Sequence, residues 1–457
     1  MDEGKDEGPR KIVIIGLGTG GLYASRAASR VDRSAEITII ERRDYDMFSP
    51  CGLPYAIEGL VESFEDLKHT VPTTRRVRKL LKHEAVSIDP AGKRVEVMNL
   101  DSGEAFWIDF DSLIIATGSR PHVLPIPGAE EFLGRGVHVV SNPENAEELK
   151  EAALRSGRAV VVGGGGIGLE IAMALKRLGL EVYVTKRTPP PFPRNLDPDM
   201  GEIISEYLES QGLNILFGKG IDQINGGDRV ESVEIAGETI PTDIVVMAVG
   251  TVPESRIAVD AGCDSERGAV ITDERMETSV KKIYAVGDCI LTFSKVDRSP
   301  TKVYLATTAF RQAEVAGVNA AGGDMVYDGT LATFVSFIGD LEVACTGYNS
   351  RTAEDHGFRV ITGRANMKIK PRYMPGAKAI SVKLVVDAET GRILGGQAIG
   401  EEGAAWRVNV VSLAIKKQMT IQEFSTIELA YCPAVSDLYD PLLVAADVAL
   451  RRLKRSR

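Results

Sequence analysis

The hydrophobic pattern of the chain begins with a short apolar run that leads into a glycine-rich turn. Residues 11–15 read KIVII and predict a buried strand, residues 16–21 read GLGTGG, and residues 22–30 predict a helix. Glycine at positions 16, 18 and 21 permits a tight turn, close approach of a pyrophosphate, and packing of the helix on the strand. The pattern therefore predicts a dinucleotide site in which Gly16, Gly18 and Gly21 lie beside the phosphates at a helix N-terminus.

The next apolar run adds a polar position to this predicted site. Residues 36–40 read EITII and predict a second strand, which ends at Glu41. A carboxylate at the end of the second strand is suited to accept hydrogen bonds from an adenosine ribose. We therefore predict that Glu41 belongs to the same site.

The same pattern returns in the middle of the chain. Residues 159–162 predict a strand, residues 163–168 read GGGGIG, and residues 169–178 predict an amphipathic helix. One glycine motif is weak evidence, but two of them, each between a strand and a helix, are strong evidence. Two dinucleotides in one chain indicate an electron relay between them, because a single such unit suffices to hold one.

Later segments repeat each other as well. Residues 113–121 (LIIATGSRP) match residues 245–253 (VVMAVGTVP), so the two halves contain the same elements in the same order. A third glycine site, residues 283–289 (IYAVGDC), also follows a predicted strand and carries Asp288, which has no counterpart in the other half. The fold predicted from this duplication is α/β, with two Rossmann-like domains.

Composition and charge exclude several other classes of protein. The 457 residues are 44% hydrophobic, 26% charged and 6% aromatic, which is typical of a folded protein with two or three domains. The net charge of −10 argues against nucleic acid as a partner. The N-terminus is a charged tail and no apolar run reaches about twenty residues, so we predict a cytoplasmic protein without a membrane segment.

The cysteines indicate a reactive thiol rather than a disulfide framework. There are five, at positions 51, 263, 289, 345 and 432, with no C-x-x-C motif and no pair at metal-ligand spacing. We therefore predict no metal site. We predict buried apolar roles for Cys263, Cys289 and Cys345.

The segment around the first cysteine identifies the family that the chain resembles. Residues 49–55 read SPCGLPY, and position 56, where a second redox cysteine would stand in a C-x4-C motif, is Ala56. The chain resembles the single-cysteine branch of the pyridine nucleotide-disulfide oxidoreductase family, which includes coenzyme A disulfide reductases, NAD(P)H-dependent persulfide or polysulfide reductases, and NADH oxidases. Further matching segments are 305–309 (LATTA), 391–395 (GRILG), 429–433 (LAYCP) and Asp440-Pro441.

This resemblance implies a domain organisation and a set of ligands. It implies an FAD-binding domain in two parts, residues 1–140 and 271–328, with an NAD(P)H-binding domain of residues 141–270 inserted between them. A C-terminal α+β dimerisation domain, residues 329–457, would form a homodimer. The ligands are then FAD, NAD(P)H and coenzyme A.

The resemblance also assigns residues to these ligands. The FAD residues that it implies are Gly16, Gly18, Gly21, Glu41, Thr117, Gly118, Gly287 and Asp288, and Gly250 is a further cofactor-binding residue. The nicotinamide nucleotide residues that it implies are Gly163, Gly165, Gly168 and Glu170. Cys51 is the redox residue, and Tyr431 and Tyr373 are the catalytic tyrosines that reach it across the dimer.

Cys51 can be oxidised in two ways, and each predicts a different enzyme. A helix start at Gly52-Leu53-Pro54, together with a redox partner at the flavin, is expected to lower the pKa of the thiol. A mixed disulfide with a small thiol would give disulfide, persulfide or polysulfide reduction, whereas a sulfenic acid would give oxidase or peroxidase chemistry. The first glycine turn lacks the histidine that is frequent in the peroxidase and oxidase members, which favours reduction of sulfur. A flavin-bound redox sensor that controls a partner protein is the alternative from another class.

Basic residues provide candidates for the phosphate groups of the ligands. Arg26 and Arg30 on the first helix are the candidates for the phosphates of coenzyme A, together with Arg75, Arg76 and Lys79. After the predicted strand 181–185, Lys186 and Arg187 stand where NAD-selective members have an acid. We therefore predict that NADPH is accepted through its 2′-phosphate and that NADH is also used.

Cys432 has two interpretations. Its place beside Tyr431 suggests a thiol that relays substrate from the partner subunit, but a single thiol beside an active motif is more often incidental.

Overall fold

The computed structural model describes residues 8–456, so the charged tail of residues 1–7 lies outside the described residues. The elements of the first part of the chain are β1 Lys11–Ile15, α1 Thr19–Val31, β2 Glu36–Ile40, β3 Met47–Phe48, α2 Leu53–Glu58, β4 Lys68–His69, β5 Val77–Leu80, β6 His83–Asp89, β7 Arg94–Asn99, β8 Ala105–Asp109, β9 Ser112–Ile115 and β10 Ser119–Pro121. Those of the middle part are β11 Val137–His138, α3 Pro143–Ala153, β12 Arg158–Val162, α4 Gly166–Arg177, β13 Glu181–Lys186, α5 Pro198–Ser210, β14 Asn214–Phe217, β15 Ile221–Gly226, β16 Val230–Ile235, β17 Glu238–Pro241, β18 Ile244–Met247 and β19 Thr251–Pro253.

The remaining elements complete the first domain and form the C-terminal domain. They are α6 Arg256–Asp260, β20 Ser265–Glu266, β21 Ala269–Ile271, β22 Ile283–Ala285, β23 Ile290–Phe293, β24 Pro300–Thr301, α7 Ala306–Ala320, β25 Phe334–Ile338, β26 Leu341–Gly347, α8 Ser350–Asp355, β27 Val360–Lys368, β28 Ala379–Asp387, β29 Ile393–Gly400, α9 Ala404–Lys416, α10 Ile421–Phe424 and α11 Pro441–Ser456.

Two parallel five-stranded sheets form the centres of the two nucleotide-binding units. The first has the order β22-β9-β1-β2-β5, and the second has the order β11-β18-β12-β13-β14. All neighbouring strands in both sheets are parallel. The central strands β1 and β12 are almost entirely buried, because helices pack on one face of each sheet and a three-stranded antiparallel sheet, β6-β7-β8 or β15-β16-β17, packs on the other. The prediction of an α/β fold with two Rossmann-like units is confirmed.

The first helix packs closely on a second helix of its own domain. Helix α1 makes an extensive contact with α7, and small residues line that contact. A Cβ added at Gly317 of α7 would collide with the carbonyl oxygen of Ala24 on α1, so the two backbones come closer than larger side chains would allow. This packing fixes the N-terminus of α1, where the first glycine turn ends.

The two repeated segments pair with each other in space. Strand β10 is the end of the repeated segment 113–121, and β19 is the end of its counterpart, 245–253. The two strands are antiparallel, with Ser119 opposite Pro253 and Pro121 opposite Thr251. The duplicated sequences therefore form the connection between the two nucleotide-binding units. The change of sheet along the chain occurs at β11 and at β19.

The C-terminal domain is built on an antiparallel sheet with the order β25-β26-β29-β28-β27. Helices α9 and α11 cover this sheet, and their apolar residues form one core with it. The antiparallel sheet with its helices agrees with the predicted α+β domain.

Candidate active site

The first glycine turn leaves open space at the N-terminus of α1. A Cβ at Gly16 would collide with the carbonyl oxygen of Ala116, and one at Gly21 would collide with that of Gly16, so both positions require glycine. A Cβ at Gly18, in contrast, would meet no protein atom within 4 Å. The middle glycine therefore faces free space beside a helix N-terminus, which fits the pyrophosphate of FAD.

The second glycine turn repeats this arrangement at the N-terminus of α4. A Cβ at Gly163 would collide with the carbonyl oxygen of Ala248, and one at Gly168 would approach the carbonyl oxygen of Gly163 at 2.6 Å. A Cβ at Gly165 would meet no protein atom within 4 Å. The second turn thus fits the pyrophosphate of NAD(P)H in the same way.

Glu41 lies directly against the first glycine turn. It is buried, and its Oε2 accepts a hydrogen bond of 2.8 Å from the backbone nitrogen of Leu17. Arg43 donates to both oxygens, at 2.9 Å from Nε and 2.7 Å from Nη2. The structure therefore places this carboxylate at the turn, as the sequence predicts for a residue near the ribose.

The other residues that the resemblance assigns to FAD lie on converging loops. The Oδ2 atom of Asp288 accepts a hydrogen bond of 2.8 Å from the Oγ of Ser119, and burial raises the pKa of the Asp288 carboxyl. Thr117 donates from Oγ1 to the carbonyl oxygen of Glu254 at 2.5 Å. Gly118 follows Thr117 directly, and Gly287 precedes Asp288, whereas Gly250 precedes β19.

Cys51 lies at the start of helix α2. Residues Pro50–Gly52 form a single 3₁₀ turn that leads into the helix, and the Gly52 nitrogen donates to the carbonyl oxygen of Ser49 at 3.0 Å. The apolar face of α2 packs against α3 and α4 in the core of the second nucleotide-binding unit. The thiol itself is accessible to solvent. The predicted helix start at the cysteine is confirmed.

The polypeptide alone opposes ionisation of the Cys51 thiol. Removal of water by the surrounding protein raises the pKa of the thiol, and the nearby carboxylate of Glu170 raises it further. In the polypeptide alone, desolvation and a like charge outweigh the start of a six-residue helix, and the lowering expected beside a redox partner stays a prediction. A thiolate at neutral pH therefore requires further stabilisation from the bound ligands.

Glu170 is held from another domain. Its Oε1 accepts hydrogen bonds from the Oγ of Ser336 at 2.5 Å and from the nitrogen of Phe337 at 3.3 Å, and both residues lie on β25. Burial raises the pKa of the Glu170 carboxyl. Burial raises the pKa of the Tyr55 phenol, and the charges of Glu170 and Cys51 raise it further.

A histidine that no sequence motif indicates, His69, lies beside the loop that carries Cys51. Strands β3 and β4 pair with Met47 opposite His69, and the His69 Nε2 is 2.7 Å from the Oγ of Ser49. Together with Tyr55 and Ser336, His69 is a candidate functional residue missed in the sequence. Tyr55 could have been identified from its place in the SPCGLPY segment. His69 could not, because no local sequence pattern indicates the pairing of β3 with β4 that brings it to Ser49.

The basic residues predicted to bind coenzyme A have different surroundings. The guanidinium of Arg26 lies 5.6 Å from the centre of the Tyr23 ring, and both Arg26 and Arg30 are exposed on α1. Arg30 forms a 3.6 Å ion pair with Glu314. These two therefore remain candidates for an anionic ligand.

Two of the additional cations are already engaged. Lys79 donates to the buried carboxylate of Asp46 at 2.6 Å and to the carbonyl oxygen of Val71 at 3.0 Å. Because this ion pair compensates the charge of Lys79 within the protein, it weakens the case for Lys79 as a phosphate ligand, which stays a prediction. Arg76 donates to the carbonyl oxygen of Ser34 at 3.0 Å, whereas Arg75 is exposed.

The two cations after β13 also differ from each other. Lys186 donates to the carbonyl oxygens of Thr188 and, at 3.1 Å, Pro190, and burial lowers the pKa of its ammonium group. Arg187 is exposed. The structure thus turns Lys186 back onto its own loop and leaves Arg187 as the more accessible cation.

The two tyrosines of the C-terminal domain lie together. Hydrogen bonding with Tyr373 raises the pKa of the Tyr431 phenol, although the two residues are 58 positions apart in the sequence. Both side chains are exposed, at 72% for Tyr373 and 46% for Tyr431. Cys432 is also exposed, and its nitrogen donates to the Oγ of Ser436 at 3.3 Å. This surface is therefore available to a partner subunit.

The remaining cysteines are buried, as predicted. Cys263, Cys289 and Cys345 lie in apolar cores, and burial raises the pKa of each thiol, to about 12 for Cys345. Within residues 8–456, no cluster of three or more His, Cys, Asp or Glu side chains is placed to hold a metal ion. Over the same residues, no helix combines the length and the apolar character needed to cross a membrane.

Comparison with known proteins identifies the family to which the chain belongs. Residues 10–313 match the pyridine nucleotide-disulphide oxidoreductase family, and residues 334–440 match the dimerisation domain of that family. An NADH oxidase of Methanocaldococcus jannaschii is 35% identical over 97% of this chain and 99% of its own. An NAD(P)H sulfur oxidoreductase (CoA-dependent) of Pyrococcus abyssi is 32% identical over 96% of this chain and 98% of its own.

The solved structures include a similar enzyme. The NAD-dependent persulfide reductase from A. fulgidus superposes with a TM-score of 0.92 and 34% identity, covering 97% of this chain and 84% of the other. The match to the dimerisation domain supports a homodimer. Family and relatives together show an NAD(P)H-dependent flavoprotein oxidoreductase that binds FAD. This chain therefore belongs to the pyridine nucleotide-disulphide oxidoreductase family.

Proposed function

We propose that this enzyme reduces the sulfur of coenzyme A disulfide, persulfide or polysulfide through Cys51. The observation that carries this proposal is a solvent-accessible thiol at the start of α2 with no second cysteine beside it. Cys263, Cys289 and Cys345 are buried in cores, and Cys432 lies on the exposed C-terminal segment. A lone accessible thiol favours a mixed disulfide with the substrate over a disulfide within the protomer. Relatives named as a persulfide reductase and a CoA-dependent sulfur oxidoreductase support the same class of substrate.

The glycine turns and their neighbours would hold the two cofactors. Gly16, Gly18, Gly21 and Glu41 would bind FAD, and Gly163, Gly165 and Gly168 would bind NAD(P)H. Bound FAD supplies a two-electron relay between the nicotinamide and the thiol.

The residues of the chain carry the sulfur chemistry. The Cys51 thiolate attacks one sulfur of the S–S bond and forms a mixed disulfide, and the other sulfur leaves as a thiolate or hydrosulfide. Tyr431 of the partner subunit, paired with Tyr373, would give a proton to that leaving group. Two electrons from NAD(P)H then cleave the mixed disulfide and release the second thiol. The sum is NAD(P)H, a proton and one S–S bond converted to NAD(P)⁺ and two thiols, or a thiol and hydrogen sulfide.

The test compares two accessible cysteines. Cys51→Ser is expected to bind FAD and to be bleached by NAD(P)H under anaerobic conditions, yet to lose turnover with glutathione persulfide and with coenzyme A disulfide. Cys432→Ser is the matched control, since its thiol is also exposed, and it is expected to keep turnover. Full turnover by Cys51→Ser would overturn the proposal. Mass spectrometry of the purified protein for coenzyme A attached to Cys51 separates coenzyme A substrates from free polysulfide.

A second candidate is an NADH oxidase that forms a Cys51 sulfenic acid. Two observations favour it: the 35% identical relative named NADH oxidase, and His69, which brings a proton-transfer group to the cysteine loop through Ser49. Oxygen consumption with NADH that exceeds persulfide turnover, and that falls in a His69→Ala variant, would support the oxidase.

A further inference from the structure

The carboxylate of Glu170 is a partly buried group whose hydrogen bonds come from the C-terminal domain. Glu170 lies on α4, the helix of the second glycine turn, whereas Ser336 and Phe337 lie on β25. The short hydrogen bond from the Ser336 Oγ and the longer one from the Phe337 nitrogen both end on Oε1. A Cβ at Gly166 would approach the same Ser336 Oγ at 3.0 Å, so this hydroxyl sits directly over the first turn of α4.

The contact between helices α2 and α4 brings this carboxylate to the cysteine. The two helices pack against each other, and the pair Glu58–Arg177 ties them together at the far end of α2. Near the other end, the Glu170 charge acts on both Cys51 and Tyr55. A negative charge close to a thiol opposes formation of a thiolate, and the opposition is strong where water is excluded.

We propose that Ser336 is a positioning residue of the active site, which holds the Glu170 carboxylate beside the Cys51 end of α2 and thereby limits the reactivity of the thiol. The dimerisation domain thus acts on the redox cysteine of its own protomer through one hydroxyl. Without that hydroxyl, the partly buried carboxylate of Glu170 loses its shorter hydrogen bond, and it either takes up a proton or turns towards water. Both changes weaken the negative charge that faces Cys51.

Other titratable groups near the cysteine are accounted for in this scheme. Tyr55 remains neutral at physiological pH because its pKa is raised. The His69 Nε2 is 2.7 Å from the Oγ of Ser49. The charge of Glu58 is balanced by Arg177. Glu170 is therefore the charged group whose position Ser336 can alter.

The experiment measures alkylation of Cys51 by iodoacetamide between pH 6 and 10. The protein is the FAD-loaded enzyme in a Cys432→Ser background, reduced with dithiothreitol and desalted without oxygen, with the Cys51 peptide quantified by mass spectrometry. Because the thiolate is the reacting form, Ser336→Ala and Glu170→Gln are both expected to react at least about threefold faster than the parent at pH 7, with the midpoint shifted down by about half a pH unit. Ser336→Thr, which keeps the hydroxyl, is expected to react like the parent.

A matched control separates positioning from a general loosening of the domain. Ser381 lies on β28 of the same sheet and donates to Asn366 at 2.8 Å, away from Glu170. An unchanged profile in Ser336→Ala, or an equal shift in Ser381→Ala, would overturn the proposal. The proposal rests on Cys51 as the redox residue, yet alkylation does not require turnover. If the proposed function is wrong, Cys51→Ser will still turn over persulfide. If Ser336 has no positioning role, the alkylation profile of Ser336→Ala will equal that of the parent.

Discussion

The pair Arg407–Asp440 leads to a prediction about the segment that carries Tyr431. Both side chains are buried, with 1% and 2% of their surface exposed. The guanidinium donates from Nε to Oδ1 at 3.0 Å and from Nη2 to Oδ2 at 2.6 Å, and its Nη1 donates to the carbonyl oxygen of Gly403 at 2.9 Å. Asp440 also accepts from the nitrogen of Leu442 at 2.8 Å, so it begins helix α11.

The substitution Asp440→Asn removes the charge but keeps the shape and the cap. Arg407 would then be a buried cation without a counterion, and breaking such a pair from one side costs about 3 to 5 kcal/mol. With a urea dependence of about 1 to 3 kcal/mol per molar, the unfolding midpoint of the dimerisation domain is expected to fall by about 1 M or more. The double variant Arg407→Met, Asp440→Asn should recover part of this loss, because no charge is left unpaired.

Trp406 offers a local probe for this measurement. Its ring lies 4.3 Å from the Arg407 guanidinium carbon. The chain has two tryptophans, so a Trp107→Phe background makes Trp406 fluorescence report on the dimerisation domain during urea titration. An Asp440→Asn midpoint equal to that of the background protein, or a double variant less stable than Asp440→Asn, would refute the reasoning from an orphaned buried charge.

Two further predictions concern cofactor choice and acid stability. Arg187→Ala is expected to lower kcat/KM for NADPH about tenfold with little change for NADH, since one charge-assisted hydrogen bond is worth at least about 1.5 kcal/mol. Lys186→Met is expected to have a smaller effect on kcat/KM for NADPH. Equal steady-state kinetics for Arg187→Ala and the parent would contradict this prediction. Burial lowers the pKa of His138 from 6.5 to about 4, so the unfolded chain binds the proton more readily and stability falls as pH drops from 6.5 towards 4, by up to about 3 kcal/mol. His138→Gln should remove this part of the decline in urea midpoints; identical pH profiles for the two proteins would rule it out.

The sequence by itself determined the two nucleotide-binding units and singled out Cys51 as the candidate redox residue. Each glycine turn is a local pattern of strand, turn and helix, and its geometry follows from positions such as Gly16 and Gly21 where a side chain would collide with backbone. The repeated segments could also be identified from the sequence, because a duplication leaves similar residues at similar spacings. The same holds for Cys51, since position 56 is visibly Ala56.

The tertiary structure decided the electrical surroundings of these residues. Glu170 and Ser336 are 166 positions apart, and no local pattern predicts that they meet. Lys79 could be counted as a free cation until Asp46 was found beside it, 33 positions away. Whether a charge is free, paired or buried depends on which distant elements pack around it, and that sum of burial and neighbouring charge sets the pKa of a group such as the Cys51 thiol.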